Sequence, residues 1–170
     1  MTTDDAVLIR RAAPRDVPAL GGFGAALVRA HHAFDADRFL TPGRRAEEGY
    51  AHFLRTQLAA KQVAIFVAER DGAVVGYVYA GVEARSWKEL RDTAGFIHDV
   101  VVDPGARRLG IGTRLIETAV AWLATRGVPR VVLWTAEKNH DAQRLFQHLG
   151  FRRTMVEMTR ETPGGVHSGD

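Results

Sequence analysis

Residues 100–113 read VVVDPGARRLGIGT, and the fold turns on how this stretch is parsed. Three valines mark a β-strand, and Pro104, which has no amide to give to a ladder, stops it. Arg107, Arg108, Leu109, Gly110, Ile111, Gly112 and Thr113 then enter a run with apolar residues at helical spacing. That run, Ile111, Leu115, Ala119, Trp122 and Leu123, ends at Gly127. A strand that turns directly into a helix presents the helix's free N–H groups and partial positive charge at the turn. Gly110 and Gly112 keep side chains out of the way there, and Arg107 and Arg108 add mobile positive charge, so the residues read as an anion site. The same glycines also suit a tight turn with close packing, so the context has to decide.

Toward the C-terminus, Pro129 leads into a strand over 131–136. A helix over 139–149 is closed by Gly150, a last strand covers 151–160, and a loose Gly-rich tail covers 162–170. Toward the N-terminus lie a strand over 95–103 and a polar, irregular stretch over 83–94 around Trp87. Two further strands, 63–69 and 73–82, are joined antiparallel by Asp71-Gly72, a dipeptide suited to a tight hairpin. Thr41-Pro42 reads as the start of a helix carrying Ala46, Tyr50, Phe53, Leu54 and Leu58 and ending near Ala60. An earlier helix over 14–32 has an apolar face through Val17, Leu20, Gly24, Leu27 and Val28. Gly21, Gly22 and Gly24 each cost that helix roughly 1 kcal/mol relative to Ala, which points to a kink or to a close approach by another element. A short strand over 7–10 comes first.

The chain has 170 residues, 46% hydrophobic and 25% charged, which is ordinary for one soluble globular domain with a sizeable core. It has no cysteine, which excludes a disulfide framework, a thiol nucleophile and any Cys-ligated metal. The basic excess is only +3, and the 20 Arg and 3 Lys are spread among acids, so no nucleic-acid footprint is expected. No apolar run approaches the roughly 20 residues that span a bilayer, and Asp4 and Asp5 stand where a signal peptide carries positive charge. The expectation is a cytoplasmic protein with no membrane partner.

The full arrangement is a strand ending Val-Asp-Pro, then Arg-x-x-Gly-x-Gly at a helix start, a strand, and then Asn139-x-x-Ala142-x-x-Leu145-Phe146 with Leu149-Gly150-Phe151. It resembles the GNAT superfamily of acyl-CoA-dependent N-acyltransferases, in element order over 7–161 and in motif detail over 95–151. The resemblance implies an α/β (α+β mixed sheet) fold in a single N-acetyltransferase domain over 1–161. Its central, mostly antiparallel sheet would have six or seven strands, flanked by about four helices and splayed at a cofactor cleft. It further implies acetyl-CoA as co-substrate. The pyrophosphate would lie on the amides of Arg107, Arg108, Leu109, Gly110, Ile111 and Gly112, with Thr113 next in line. The pantetheine arm would run along Val100, Val101 and Val102, and Asn139 would reach the same region. Two positions depart from the family. Phe146 stands where many members carry a Tyr that protonates the departing thiolate. Trp134 stands where the ribosomal-protein alanine acetyltransferase branch carries a Glu.

Attack by an amine on a thioester needs a neutral nitrogen, whereas a free lysine amine with a pKa near 10.4 is protonated at neutral pH. A base is therefore expected, and the candidates are Asp99 and His98. Being adjacent on a strand, they should face opposite ways, so that only one enters a given pocket. The Val100 N–H is the expected oxyanion donor, water the expected acid, and Tyr77 and Tyr79 alternative acids on a shared face. The acceptor site is expected from the first two helices and the loop around Trp87, with His31, Asp35, Trp87 and Trp134 as its candidates. The neighbouring His32 and Asp37 do not complete a metal site, because adjacent histidines do not readily share one ion. The expected reaction is acetyl transfer to a primary amine in a ternary complex with no covalent acyl-enzyme. A catalytically degenerate acyl-CoA-binding sensor is the alternative, and pairing of exposed edge strands makes a homodimer an expectation. A dinucleotide-binding domain fits poorly, because the Gly-rich turn does not follow the first strand and Arg130 stands where an acid is required.

Overall fold

The structure, a computed structural model, describes residues 6–165. Its sheet has five strands in chain order, β1 (Leu8–Arg11), β2 (Val63–Arg70), β3 (Ala73–Glu83), β4 (Ala94–Val102) and β5 (Val131–Leu133). The first four pair antiparallel and β5 joins β4 in parallel, so the mixed sheet is mostly antiparallel. At the β2–β3 hairpin both Asp71 (φ 52°) and Gly72 (φ 76°) have positive φ, the conformation that Asp-Gly supplies at low cost. Four α-helices cover the sheet, α1 (Val17–Phe34), α2 (Ala46–Leu58), α3 (Ile111–Ala124) and α4 (His140–His148).

Period-2 alternation sends Ala64, Phe66, Ala68, Val78, Ala80 and Ile97 to one face, where Leu115, Ile116, Ala119 and Leu123 of α3 and Phe146 of α4 bury them. Ile65, Val67, Tyr77 and Tyr79 point to the other face and meet Leu20 of α1 and Leu54 of α2. The glycines of α1 serve a close approach. A Cβ at Gly21 would stand 2.7 Å from Cβ of Ala51, and one at Gly24 would stand 2.0 Å from Cδ1 of Tyr50, so α2 lies directly against α1.

Two expected elements are corrected. Helix α2 begins at Ala46 rather than at Thr41-Pro42. Gly43 weakens a helix there, and the acids that favour a first turn, Glu47 and Glu48, come later. The expected strand over 151–160 is absent, which leaves five strands instead of six or seven. With β5 only three residues long, this stretch meets no neighbouring strand, and 152–160 are exposed. Arg38–Glu157 and Arg153–Glu137 ion pairs tie it to the body. The first five residues of the sequence and the last five of the expected tail lie outside the described residues.

An ion pair between half-buried Arg10 and buried Asp16 anchors the entry to α1. Asp16 accepts from both terminal nitrogens of Arg10, at 2.7 and 2.9 Å, and from the Ala13 amide at 2.8 Å. The Arg10 hydrogen bonds hold its carboxyl below the ordinary 3.8, outweighing burial. Asp16 therefore contributes stability that is present above the unfolded pKa and is lost as pH falls through the depressed folded value. Asp16→Asn should lower stability by about 1–2 kcal/mol at pH 7, since Arg10 keeps its pairing with Glu69, and by progressively less as the pH is taken below 4. Urea titrations at the two pH values check this, and an equal loss at both would refute it.

Candidate functional site

Strand β5 stays with β4 only where Val131, Val132 and Leu133 pair with Gly95, Phe96 and Ile97. Beyond those pairs β4 continues to Val102 without a neighbour on that side, and a cleft of about 260 Å³ occupies the gap. Its walls include Ile97, His98, Asp99 and Val100 of β4, and Trp134, Thr135, Asn139 and Phe146 across the gap. His31 of α1 and Tyr50 of α2 close one end, beside Phe39 and Leu40. The Asp103 amide donates to the Val75 carbonyl on β3 at 2.8 Å. Alternation along the strand then turns the amides of Val102 and Val100 toward the open side, and that of Val101 toward β3.

A β-bulge controls the catalytic candidates. Tyr79 pairs with Asp99 and Ala80 with Ile97, so His98 is the extra residue on β4. The expectation that His98 and Asp99 face opposite ways is therefore corrected: both line the same cleft. The imidazole of His98 stacks on Phe96 and lies 4.7 Å from the Tyr79 ring, with Nε2 3.2 Å from Oε1 of Glu83. Asp99 is only 8% exposed. Its Oδ2 accepts from the hydroxyls of Tyr50 (2.6 Å) and Tyr77 (2.9 Å). Burial pushes the Asp99 carboxyl above the ordinary carboxylate value, against the pull of the two hydroxyls and of His98 and His31. The same burial, with the Asp99 charge, raises Tyr50 and Tyr77, so both remain neutral donors.

At the far end, Asp103 turns the chain by accepting from the Gly105 amide at 2.7 Å. Arg108 (φ 65°) and Gly110 (φ 70°) then bend it into α3. Gly110 offers α3 no side-chain cap, and nothing lies within 4 Å of where its Cβ would be, so the first amides of α3 are open. Arg107, Arg108 and Leu109 are exposed, Thr113 is half-buried, and Ile111 sends its side chain into the core. A Cβ on Gly112 would lie 3.8 Å from Val102 and 3.5 Å from Leu145, which puts the start of α3 beside the end of the open β4 edge. Asn139 caps α4 by accepting from the Ala142 amide at 3.3 Å while also lining the cleft.

The acceptor-side candidates separate. His31 lines the cleft, its Nδ1 2.9 Å from the Leu27 carbonyl. Trp134, 73% exposed, stands at the cleft wall with its ring edge-on to Phe96. Asp35 instead accepts from the amides of Asp37 and Arg38 in the turn after α1. Trp87 is 81% exposed and does not line the cleft, its stretch closing on itself through a Ser86–Arg91 bridge. No cluster among the described residues is suited to a metal ion. Sequence reasoning missed Tyr50, whose helical spacing in α2 reads as core packing. Its partner Asp99 is 49 residues away, and no local signal joins them.

The chain matches the model of the acetyltransferase (GNAT) family over residues 26–151, and it belongs to that family. It is 36% identical over 99 residues to a mycothiol acetyltransferase of Thermomonospora curvata, covering 58% of this chain and 31% of that one. An N-alpha-acetyltransferase of Sulfurisphaera tokodaii is 31% identical over 136 residues, covering 76% and 81% of the two chains. The chain spans about a third of the length of the mycothiol acetyltransferases it matches. Among solved structures, an aminoglycoside N-acetyltransferase in complex with CoA shares the fold. Its TM-score is 0.76 at 19% identity, covering 95% of this chain and 98% of that one. A GCN5-related N-acetyltransferase from Ralstonia eutropha superposes with TM-score 0.69 at 25% identity, covering 92% and 99%.

Proposed function

We propose that this protein transfers the acetyl group of acetyl-CoA to a primary amine of a small molecule or peptide, by direct attack in a ternary complex. The observation that carries this reading is one continuous path. The open N-terminus of α3 leads along the unpaired edge of β4, through Val102 and Val100, to a buried carboxylate at Asp99. The acetyltransferase names of the relatives agree with it. In this reading the amides from Gly110 to Thr113, with Arg107 and Arg108, hold the pyrophosphate of the co-substrate. The edge groups of Val100 and Val102 hold the pantetheine arm, and the Val100 N–H stabilises the oxyanion. Asp99 takes the proton from the attacking nitrogen. Phe146 has no proton to give, so water protonates the departing thiolate. With no cysteine in the chain there is no thiol to carry an acyl-enzyme. Acetyl-CoA supplies the activated thioester, and the reading places the reaction in the cytoplasm. Among the described residues no helix is long and apolar enough to cross a membrane.

The test is calorimetric titration with acetyl-CoA, followed by thiol release over a panel of primary amines. Saturable binding with amine-dependent release is expected. Binding without release on any amine, the behaviour of a sensor, would overturn the enzymatic reading, and absence of binding would overturn both. Gly112→Asp sharpens the binding half. A Cβ at Gly112 makes only ordinary contacts, with Leu145 and Val102, and an acid in a first turn favours the helix, yet it puts negative charge where the pyrophosphate would sit. Acetyl-CoA affinity should fall by about tenfold or more with the melting temperature unchanged or raised. Unchanged affinity would remove the α3 N-terminus from the site.

A further inference from the structure

We infer that Tyr50, seated where Gly24 leaves α1 bare, is a positioning residue for Asp99. With Tyr77 it holds Oδ2 and leaves Oδ1 as the oxygen that meets the acceptor nitrogen. Both hydroxyls converge on Oδ2, at 2.6 and 2.9 Å, and Oδ1 accepts no hydrogen bond from the described residues. The two donors come from different elements, Tyr50 from α2 and Tyr77 from β3, so the carboxylate is gripped from two directions and cannot rotate without losing a bond. Tyr77 is wholly buried, whereas Tyr50 also lines the cleft and is the donor nearest to arriving substrate. The ring of Tyr50 that reaches Asp99 lies against Gly24. A Cβ there would stand 2.0 Å from Cδ1 and 2.3 Å from Cγ of the ring, so any side chain at position 24 displaces it. The ring also meets Phe53 edge-on at 5.9 Å.

The groups that face Asp99 are His31 from α1, Tyr50 from α2, Tyr77 and Tyr79 from β3, and His98 on β4 itself. The hydroxyls of Tyr50 and Tyr77 and the two imidazoles favour the charged carboxylate and burial opposes it, so removal of the Tyr50 hydroxyl moves the carboxyl upward. The inference rests on the reading of Asp99 as the base, and its test separates the two. The Asp99 carboxyl is titrated by carbon NMR in the free protein, assigned by its loss in Asp99→Asn. The pH profile of thiol release is then measured with the same proteins.

Tyr50→Phe, which keeps the ring and its packing, should raise the Asp99 midpoint by about one pH unit. The acidic limb of the rate profile should move with it, with KM for acetyl-CoA unchanged. Gly24→Ala should raise the midpoint in the wild type and leave it unmoved in a Tyr50→Ala background, where there is no ring to displace. An unmoved midpoint in Tyr50→Phe overturns the inference. A Gly24→Ala effect that persists without the ring overturns the seat at Gly24. A midpoint that moves while the rate profile stays fixed supports the grip on Oδ2 and overturns Asp99 as the base.

Discussion

Asp99→Asn is expected to slow acetyl transfer by about 10²- to 10⁴-fold, the range that a positioned general base contributes, while acetyl-CoA affinity stays the same. The same variant should be no less stable than the wild type at neutral pH, and this separates catalysis from folding. Burial raises the Asp99 carboxyl above its unfolded value, so the folded state binds the proton more tightly than the unfolded state does. The stability this contributes is fully present below the ordinary carboxylate value of 3.8 and is lost as pH rises through the raised folded value. Above that raised value the protein holds a buried charge at a cost, and asparagine removes the charge while keeping an oxygen for Tyr50 and Tyr77. Thermal melts at pH 4 and 7.5, beside thiol-release kinetics, test both halves. A rate within threefold of wild type would remove Asp99 from the chemistry. A melting temperature well below wild type at pH 7.5 would show that the charged form stabilises the fold.

Gly76→Ala is expected to be the most damaging single methyl in the sheet. Gly76 pairs with Val102 across β3 and β4, next to the irregularity in the β2–β3 register at Ala68/Glu69. A Cβ there would lie 2.6 Å from the Val101 carbonyl oxygen and 3.2 Å from the Val102 Cα. These are main-chain atoms in a paired strand, so neither can swing aside, and β3 and β4 must separate at the end that carries Val100 and Val102. Overpacking of this kind costs about 3 kcal/mol. Gly49→Ala is the matched control. Gly49 lies inside α2, nothing lies within 4 Å of the added atom, and the substitution should stabilise by roughly 0.5–1 kcal/mol through backbone entropy. Urea unfolding of the two variants should show opposite signs. A Gly76→Ala protein as stable as the wild type would mean that the two strands yield at this point.

What the sequence determined by itself was local. Asp71-Gly72 dictates the hairpin because both residues tolerate positive φ. The turn from Val102 through Pro104 and Gly110 into α3 follows from proline's missing amide and from an apolar period of 3.6. Asn139 marks the start of α4 because its side chain reaches the Ala142 amide three residues on. The family pattern is written in these same short stretches, which is why family membership is legible in the sequence.

The tertiary structure decided whatever depends on residues far apart in the chain. Whether 151–160 forms a strand depends on a neighbour, and β5 is too short to provide one. Thr41-Pro42 resembles a helix start, yet α2 begins where its acids and its sheet-facing residues agree. The bulge at His98 exists only in the register between β3 and β4, and it turns His98 and Asp99 onto one face against the alternation that either strand alone would show. The glycines of α1 advertise a close approach without saying to what. That the answer is Tyr50, 26 positions further along, and that its hydroxyl ends on Asp99, follows from helix packing against a sheet. Turns and helix caps are set by torsions within a few residues, whereas the carboxylate's partners are set by burial, which no local pattern encodes.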